Sequence, residues 1–147
     1  MIVPDANLLL YAYDSNSPFH QAASSWWTAC MSGSEPVGLC HAVLFAFVRI
    51  STSARVYERP LPLTDAVRHV ESWMSRRVTR LLLPDERHHA TVLELLREAG
   101  SAGGNLVTDA QIAALARQLG ATVHTADQDF RRFPDVAVSF PLDGEPA

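Results

Sequence analysis

Four aspartates stand where the chain changes character. Asp5 interrupts the opening "MIVPDANLLLYAYD", between Ile2 and Val3 on one side and Leu8, Leu9 and Leu10 on the other. Asp109 lies near the start of "VTDAQIAALARQLG", and Asp127 and Asp129 sit two apart in "TADQD". A lone carboxylate is very costly to bury, so an acid in apolar surroundings must be solvated, paired or bound. Several acids sharing a small site raise one another's pKa. A hard divalent cation, Mg²⁺ or Mn²⁺, relieves this by taking a few carboxylate oxygens together with water. Each acid also has a plainer use. Asp5 and Asp109 suit helix N-caps, and Asp127 and Asp129 suit a solvated turn. The chemistry therefore depends on whether the fold brings them together.

The intervening sequence alternates short apolar strands with helical patterns. Ile2 and Val3 make a first strand, and the run to Tyr13 a short helix broken by "DSNSP". Ser17 as cap and Pro18 at the first helical position predict a second helix, with Phe19, Ala22, Ala23, Trp26, Trp27 and Cys30 on one face and Gly33 closing it. "PVGLC" reads as a strand. "HAVLFAFVRI" is apolar on every side and predicts a helix buried against several neighbours. A helix capped at Thr64 follows, then the strand "TRLLLP", then a helix capped at Asp85 and stopped by Gly100. After the hinge "SAGGN", Ile112, Leu115, Ala116 and Leu119 line a helix that Gly120 ends. "ATVHTADQDF" gives a strand, a turn and the start of a short helix, and "VAVSF" a last strand. Strands separated by helices, without hairpin signals, predict an α/β fold with a central parallel sheet flanked by helices. Ligands in such folds sit outside the carboxyl ends of the strands, where Asp5 and "TADQD" both fall. Residues 1–142 are expected to form one domain and residues 143–147 a frayed tail.

Composition narrows the partners. The 147 residues are 48% hydrophobic, ordinary for one globular domain. No basic region precedes the first apolar run, and residues 42–48, the longest such run, are too few to cross a bilayer, so a cytoplasmic protein without a membrane partner is expected. Cys30 and Cys40 read as buried thiols. A net charge of −4 argues against capture of nucleic acid by the whole surface, so any such contact must be local. All 12 basic residues are arginine, which excludes any mechanism that needs lysine. Arg131 and Arg132 adjoin Asp129 and could grip phosphates through forked hydrogen bonds; Arg76, Arg77 and Arg80 form a second cluster that suits a solvated face equally well. The histidines show no metal-ligand spacing, and His88 and His89 are expected to face solvent.

"VPDANLLLYAYD", "HAVLFAFVRI", "NLVTDAQIAALARQLG" and "TADQDF", taken in order, resemble the successive motifs of the PIN domain, in particular the VapC toxin ribonucleases of bacterial toxin–antitoxin pairs. The resemblance runs from residue 2 to about residue 142. It implies a three-layer sandwich and a metal-dependent endoribonuclease that hydrolyses RNA phosphodiester bonds. Asp5, Asp109 and Asp127 would hold Mg²⁺ (or Mn²⁺), with Asp129 at the edge of the catalytic set and Asn7 and Thr125 in support. It further implies a cognate VapB-like antitoxin and a homodimer that sets two arginine clusters along one groove. The apolar segment 43–50, with Trp26, Trp27 and Trp73, is expected to serve mostly as core, and the remainder to capture a helix of the antitoxin. One departure matters. The family pattern A-E-F-x-R places a glutamate where "LFAFVR" has Ala46, and Glu35 and Glu58, the nearest other acids, lie in loops. An alternative reading is therefore a PIN fold that binds RNA or a protein without cutting. Phospho-acceptor regulators and haloacid-dehalogenase-like phosphatases resemble the chain only in outline, and both employ a lysine it lacks.

Overall fold

A computed structural model describes residues 1–100 and 103–143; part of the "SAGGN" hinge and residues 144–147 of the expected tail lie outside the described residues. Five strands form one sheet: β1 (Ile2–Pro4), β2 (Val37–Cys40), β3 (Thr79–Leu82), β4 (Thr122–His124) and β5 (Ala137–Ser139). Six helices flank it: α1 (Ala6–Tyr13), α2 (His20–Ser32), α3 (His41–Ser51), α4 (Leu63–Met74), α5 (His88–Ala99) and α6 (Leu106–Leu119), with a 3-10 turn at Gln128–Arg132. The strand order is β3-β2-β1-β4-β5, and every pairing is parallel. The expected α/β sandwich is thus the one observed. Every carboxyl end lies on the same edge, and the chain switches direction of travel across the sheet between β1 and β4.

Burial follows from this arrangement. β1 and β2 are covered on both faces, as their unbroken apolar runs require. Val3, Leu9, Leu39, Val43, Phe47, Leu95, Ile112 and Val123 fill the centre. Trp27 and Trp73 belong to this core, as expected for most of the aromatic set: they meet edge-on at 5.5 Å, and the Trp73 indole donates to the Tyr13 hydroxyl at 2.7 Å. Trp26 is half-buried and donates to His124 Nδ1.

Three helix starts differ from expectation, and in two of them the polar side chain satisfies a turn just outside the helix. The Ser17 hydroxyl accepts from the Phe19 amide, so α2 begins at His20. Asp85 Oδ1 accepts from the Arg87 amide, delaying α5 to His88. Pro62, with φ already set, precedes α4 in place of Thr64. Gly100 and Gly120 end their helices in the left-handed conformation as predicted, whereas Gly33 is extended. α3 also departs from expectation, because Phe45 is 66% exposed and His41 and Arg49 face solvent. Among the described residues no helix is long and apolar enough to cross a membrane.

Candidate active site

The switch between β1 and β4 sets the first acid. Pro4 is in register with His124, and the Asp5 amide donates to the His124 carbonyl at 2.8 Å, so Asp5 leaves the sheet beside Thr125. Asp5 precedes α1 in extended conformation yet makes no side-chain cap hydrogen bond. Its carboxylate is turned to another use. The fully buried Thr125 hydroxyl donates to Asp5 Oδ2 at 2.7 Å and accepts from the Asp127 amide at 2.9 Å. Asp127 Oδ1 in turn accepts from the Asp129 amide at 2.9 Å, capping the 3-10 turn. A single hydroxyl therefore ties the ends of two neighbouring strands together through their acids.

Asp109 comes from a third element, the first turn of α6. Burial, followed by the charges of Asp5, Asp127 and Asp129, pushes its carboxyl up to about 7. Asp5, only 6% exposed, is pushed up to about 6, chiefly by burial. The Thr125 hydroxyl and the nearby amides of Ala6 and Asn7 draw it back down, while the charge of Asp127 adds to the rise. The four predicted acids thus share one electrostatic neighbourhood.

That neighbourhood has little to offset it. Among the described residues the ion pairs are Met1 with Glu35 and Arg68 with Asp65, so none of the four acids has a cationic side-chain partner. Asn7 Oδ1 is buried with no hydrogen-bond partner, a further bare oxygen two residues after Asp5. Clustered carboxylates and a bare amide oxygen are the donor set that a hard cation prefers, and in that sense the residues fit one. As the side chains stand, however, no three His, Cys, Asp or Glu groups among the described residues are gathered closely enough to hold an ion. Unscreened carboxylates repel, and drawing three onto one point requires a positive charge to bind them.

The other predicted residues divide. Arg131 and Arg132 are exposed at the end of the 3-10 turn beside Asp129, with the Arg131 guanidinium 4.7 Å above the Phe140 ring. Arg76, Arg77 and Arg80 lie at the start of β3, on the opposite edge of the sheet, where they line a cavity of about 730 Å³. Arg80 is occupied there by the carbonyls of Arg77 and Thr79. Glu35 is on that far edge too, paired with the N-terminus, and Glu58 is exposed in the loop after α3, so neither replaces the acid missing at Ala46. Ala46 itself is buried and forms part of a cavity of about 350 Å³ between α3 and α6, lined also by Ala42, Phe45, Arg49, Thr108 and Gln111. Sequence reasoning missed this cavity. The spacing of His41, Phe45 and Arg49, each one turn apart, was the available signal.

Known proteins resemble the chain over nearly its full length. The PIN domain profile matches residues 2–136. Ribonuclease VapC33 of Mycobacterium tuberculosis is 43% identical over 142 residues, covering 97% of this chain and 99% of that protein. Ribonuclease VapC37 of the same organism is 38% identical over 136 residues, covering 92% and 94%. Among solved structures, Mycobacterium tuberculosis VapC20, described as a sarcin-ricin loop cleaving toxin, superposes with a TM-score of 0.68 at 18% identity, over 93% of this chain and 99% of that one. VapBC-1 from nontypeable Haemophilus influenzae gives 0.66 at 18% identity, over 96% and 98%.

Proposed function

The chain belongs to the PIN domain family, and from that premise we propose that it is a VapC-type endoribonuclease toxin acting in the cytoplasm. Its activity would depend on Mg²⁺ or Mn²⁺ and be neutralised by a VapB-like antitoxin. The observation that carries the proposal is the Thr125 hydroxyl joining Asp5 to the Asp127 backbone at the strand switch, with Asp109 coupled to both. The relatives named ribonuclease, and the VapBC assemblies of the same fold, supply the substrate class and the kind of partner. Residues 1–142 are taken as one catalytic domain.

Asp5, Asp109 and Asp127 would hold the cation, with Asp129 at its edge and Asn7 behind. A divalent cation held by these residues would supply acidification of a water and charge relief at the phosphoryl oxygens. Thr125 fixes the Asp5 carboxylate by donating to Oδ2. Asp5 and Asp109 must both ionise to serve, so protons leave these carboxyls as the site loads. Arg131 and Arg132 would hold phosphates flanking the scissile bond. Two copies would pair so that both arginine clusters line one groove.

Incubating purified protein with RNA and Mg²⁺ or Mn²⁺ tests this. Cleavage that stops with a chelator and is lost in Asp5→Asn is the expected result, with RNA ends mapped after induction identifying the target. Ala46 favours a second reading, a PIN fold that binds RNA or an antitoxin without cutting. Tight RNA binding with no cleavage in either metal would establish that reading instead.

A further inference from the structure

We propose that the exposed stripe of α3, His41, Phe45 and Arg49, is a stacking platform for an unpaired base of the RNA, next to the acids. The proposal rests on the ribonuclease reading and adds how the substrate is recognised. Phe45 is 66% exposed, in a helix whose other large apolar side chains are buried or partly so. It is not a loose surface residue. The His41 ring stacks parallel to it, 5.6 Å between centroids and 5° between planes, and so holds the Phe45 ring in a fixed orientation. Arg49, a turn further along, is exposed and has no carboxylate partner among the described residues.

Beside this surface the chain leaves room of a suitable kind. The cavity of about 350 Å³ has the methyl groups of Ala42 and Ala46 on the α3 side and the polar groups of Thr108 and Gln111 on the α6 side. Its size falls within the roughly 300–1,000 Å³ of small-ligand sites. Apolar walls, a planar aromatic face, a guanidinium and an amide are what a nucleobase needs. Stacking supplies affinity for any base, while side-chain donors and acceptors read its edge. The slot also adjoins the acids. Thr108 directly precedes Asp109 on α6, and α3 begins directly after Cys40, whose thiol lies within the field of Asp5. A duplex, with its bases already stacked, would gain nothing from the stripe.

Binding of a short mixed-sequence single-stranded oligoribonucleotide to the full-length protein, in chelator so that nothing is cut, tests the proposal. A matched abasic oligomer and cleavage assays with Mg²⁺ accompany it. Phe45→Ala should weaken binding of the base-bearing oligomer about tenfold or more. Phe45→Trp should restore it and Phe45→Leu should not, while the abasic oligomer should be insensitive to all three. Unchanged melting temperatures would show that the folds are intact. If wild-type protein cleaves RNA but Phe45→Ala binds it normally, the platform is overturned and the ribonuclease stands. If Leu serves as well as Phe, or the abasic oligomer loses as much, the surface is generically apolar and the platform is overturned. The same follows if Phe45→Ala spares RNA binding yet abolishes self-association or antitoxin binding, which would make the stripe a protein interface. If the wild type neither binds nor cuts RNA, both proposals fall.

Discussion

Asp5 and Asp109 are acids whose folded pKa lies above the ordinary value of 3.8, at about 6 and about 7. Between those limits the native state holds more protons than the unfolded chain, so stability falls as pH rises through the window and levels off once both are ionised. For metal-free protein the melting temperature should therefore drop from about pH 4 to about pH 7. Saturating Mg²⁺ or Mn²⁺ should offset most of that drop. A flat or rising profile in chelator would contradict the electrostatic account. Asp109→Asn should remove part of the slope and stabilise the chelated protein at neutral pH by on the order of 1 kcal/mol, the half-exposed position being screened by solvent. It should at the same time abolish cleavage. Thr125 acts differently, since its hydroxyl both donates to Asp5 and accepts from Asp127. Thr125→Val keeps the shape and loses both bonds, which should cost about 1–3 kcal/mol in urea denaturation. It should also lower metal affinity or cleavage about 10- to 100-fold. A variant stable and active as the wild type would show that the bridge does not position the acids.

At the scale of elements, β1 and β4 carry the site and α6 delivers its third acid. α6 reaches β4 through Gly120, at φ +62° with open space around it, so the cost of a side chain there is backbone strain alone. Gly120→Ala should lower stability by about 1 kcal/mol without changing the packing, a shift readable in the denaturation midpoint. Such turns were legible in the sequence because glycine serves them best. So were the strands, with β1 and β2 as buried runs that suit the middle of a covered parallel sheet, and with them the edge on which Asp5 and Asp127 meet. Helix starts were less legible. Ser17 and Asp85 can satisfy either a helix or the turn before it, and only the surrounding chain decides. α3 was misjudged for a related reason: an all-apolar run gives no contrast between faces, so the exposure of Phe45 was hidden by chemistry identical to that of buried Phe47. The cavity beside it depends on the packing of α3 against α6, of which the one-turn spacing of His41, Phe45 and Arg49 marks only the α3 side.

For the whole molecule, the difficulty is that a chain of net charge −4 must hold a polyanion. Long-range attraction is unfavourable, so affinity must come from a few local cations and from contacts indifferent to salt. Arg131 and Arg132 adjoin Asp129 and Arg49 lines the slot between α3 and α6, whereas Arg76, Arg77 and Arg80 are on the opposite edge. Neutralising about three phosphates of single-stranded RNA, at roughly 0.7 per phosphate, gives a slope of log K against log salt near −2 for one copy. An RNA lying across two copies would engage both sets, and its slope would approach about −4. The homodimer proposed here thus makes a prediction beyond molecular weight. RNA long enough to span both sites should show the steeper slope at concentrations where light scattering reports a dimer, and the shallower one on dilution to monomer. A shallow slope at every concentration, with cleavage undiminished in the monomer, would mean that each copy grips its substrate alone and that pairing does not build the groove.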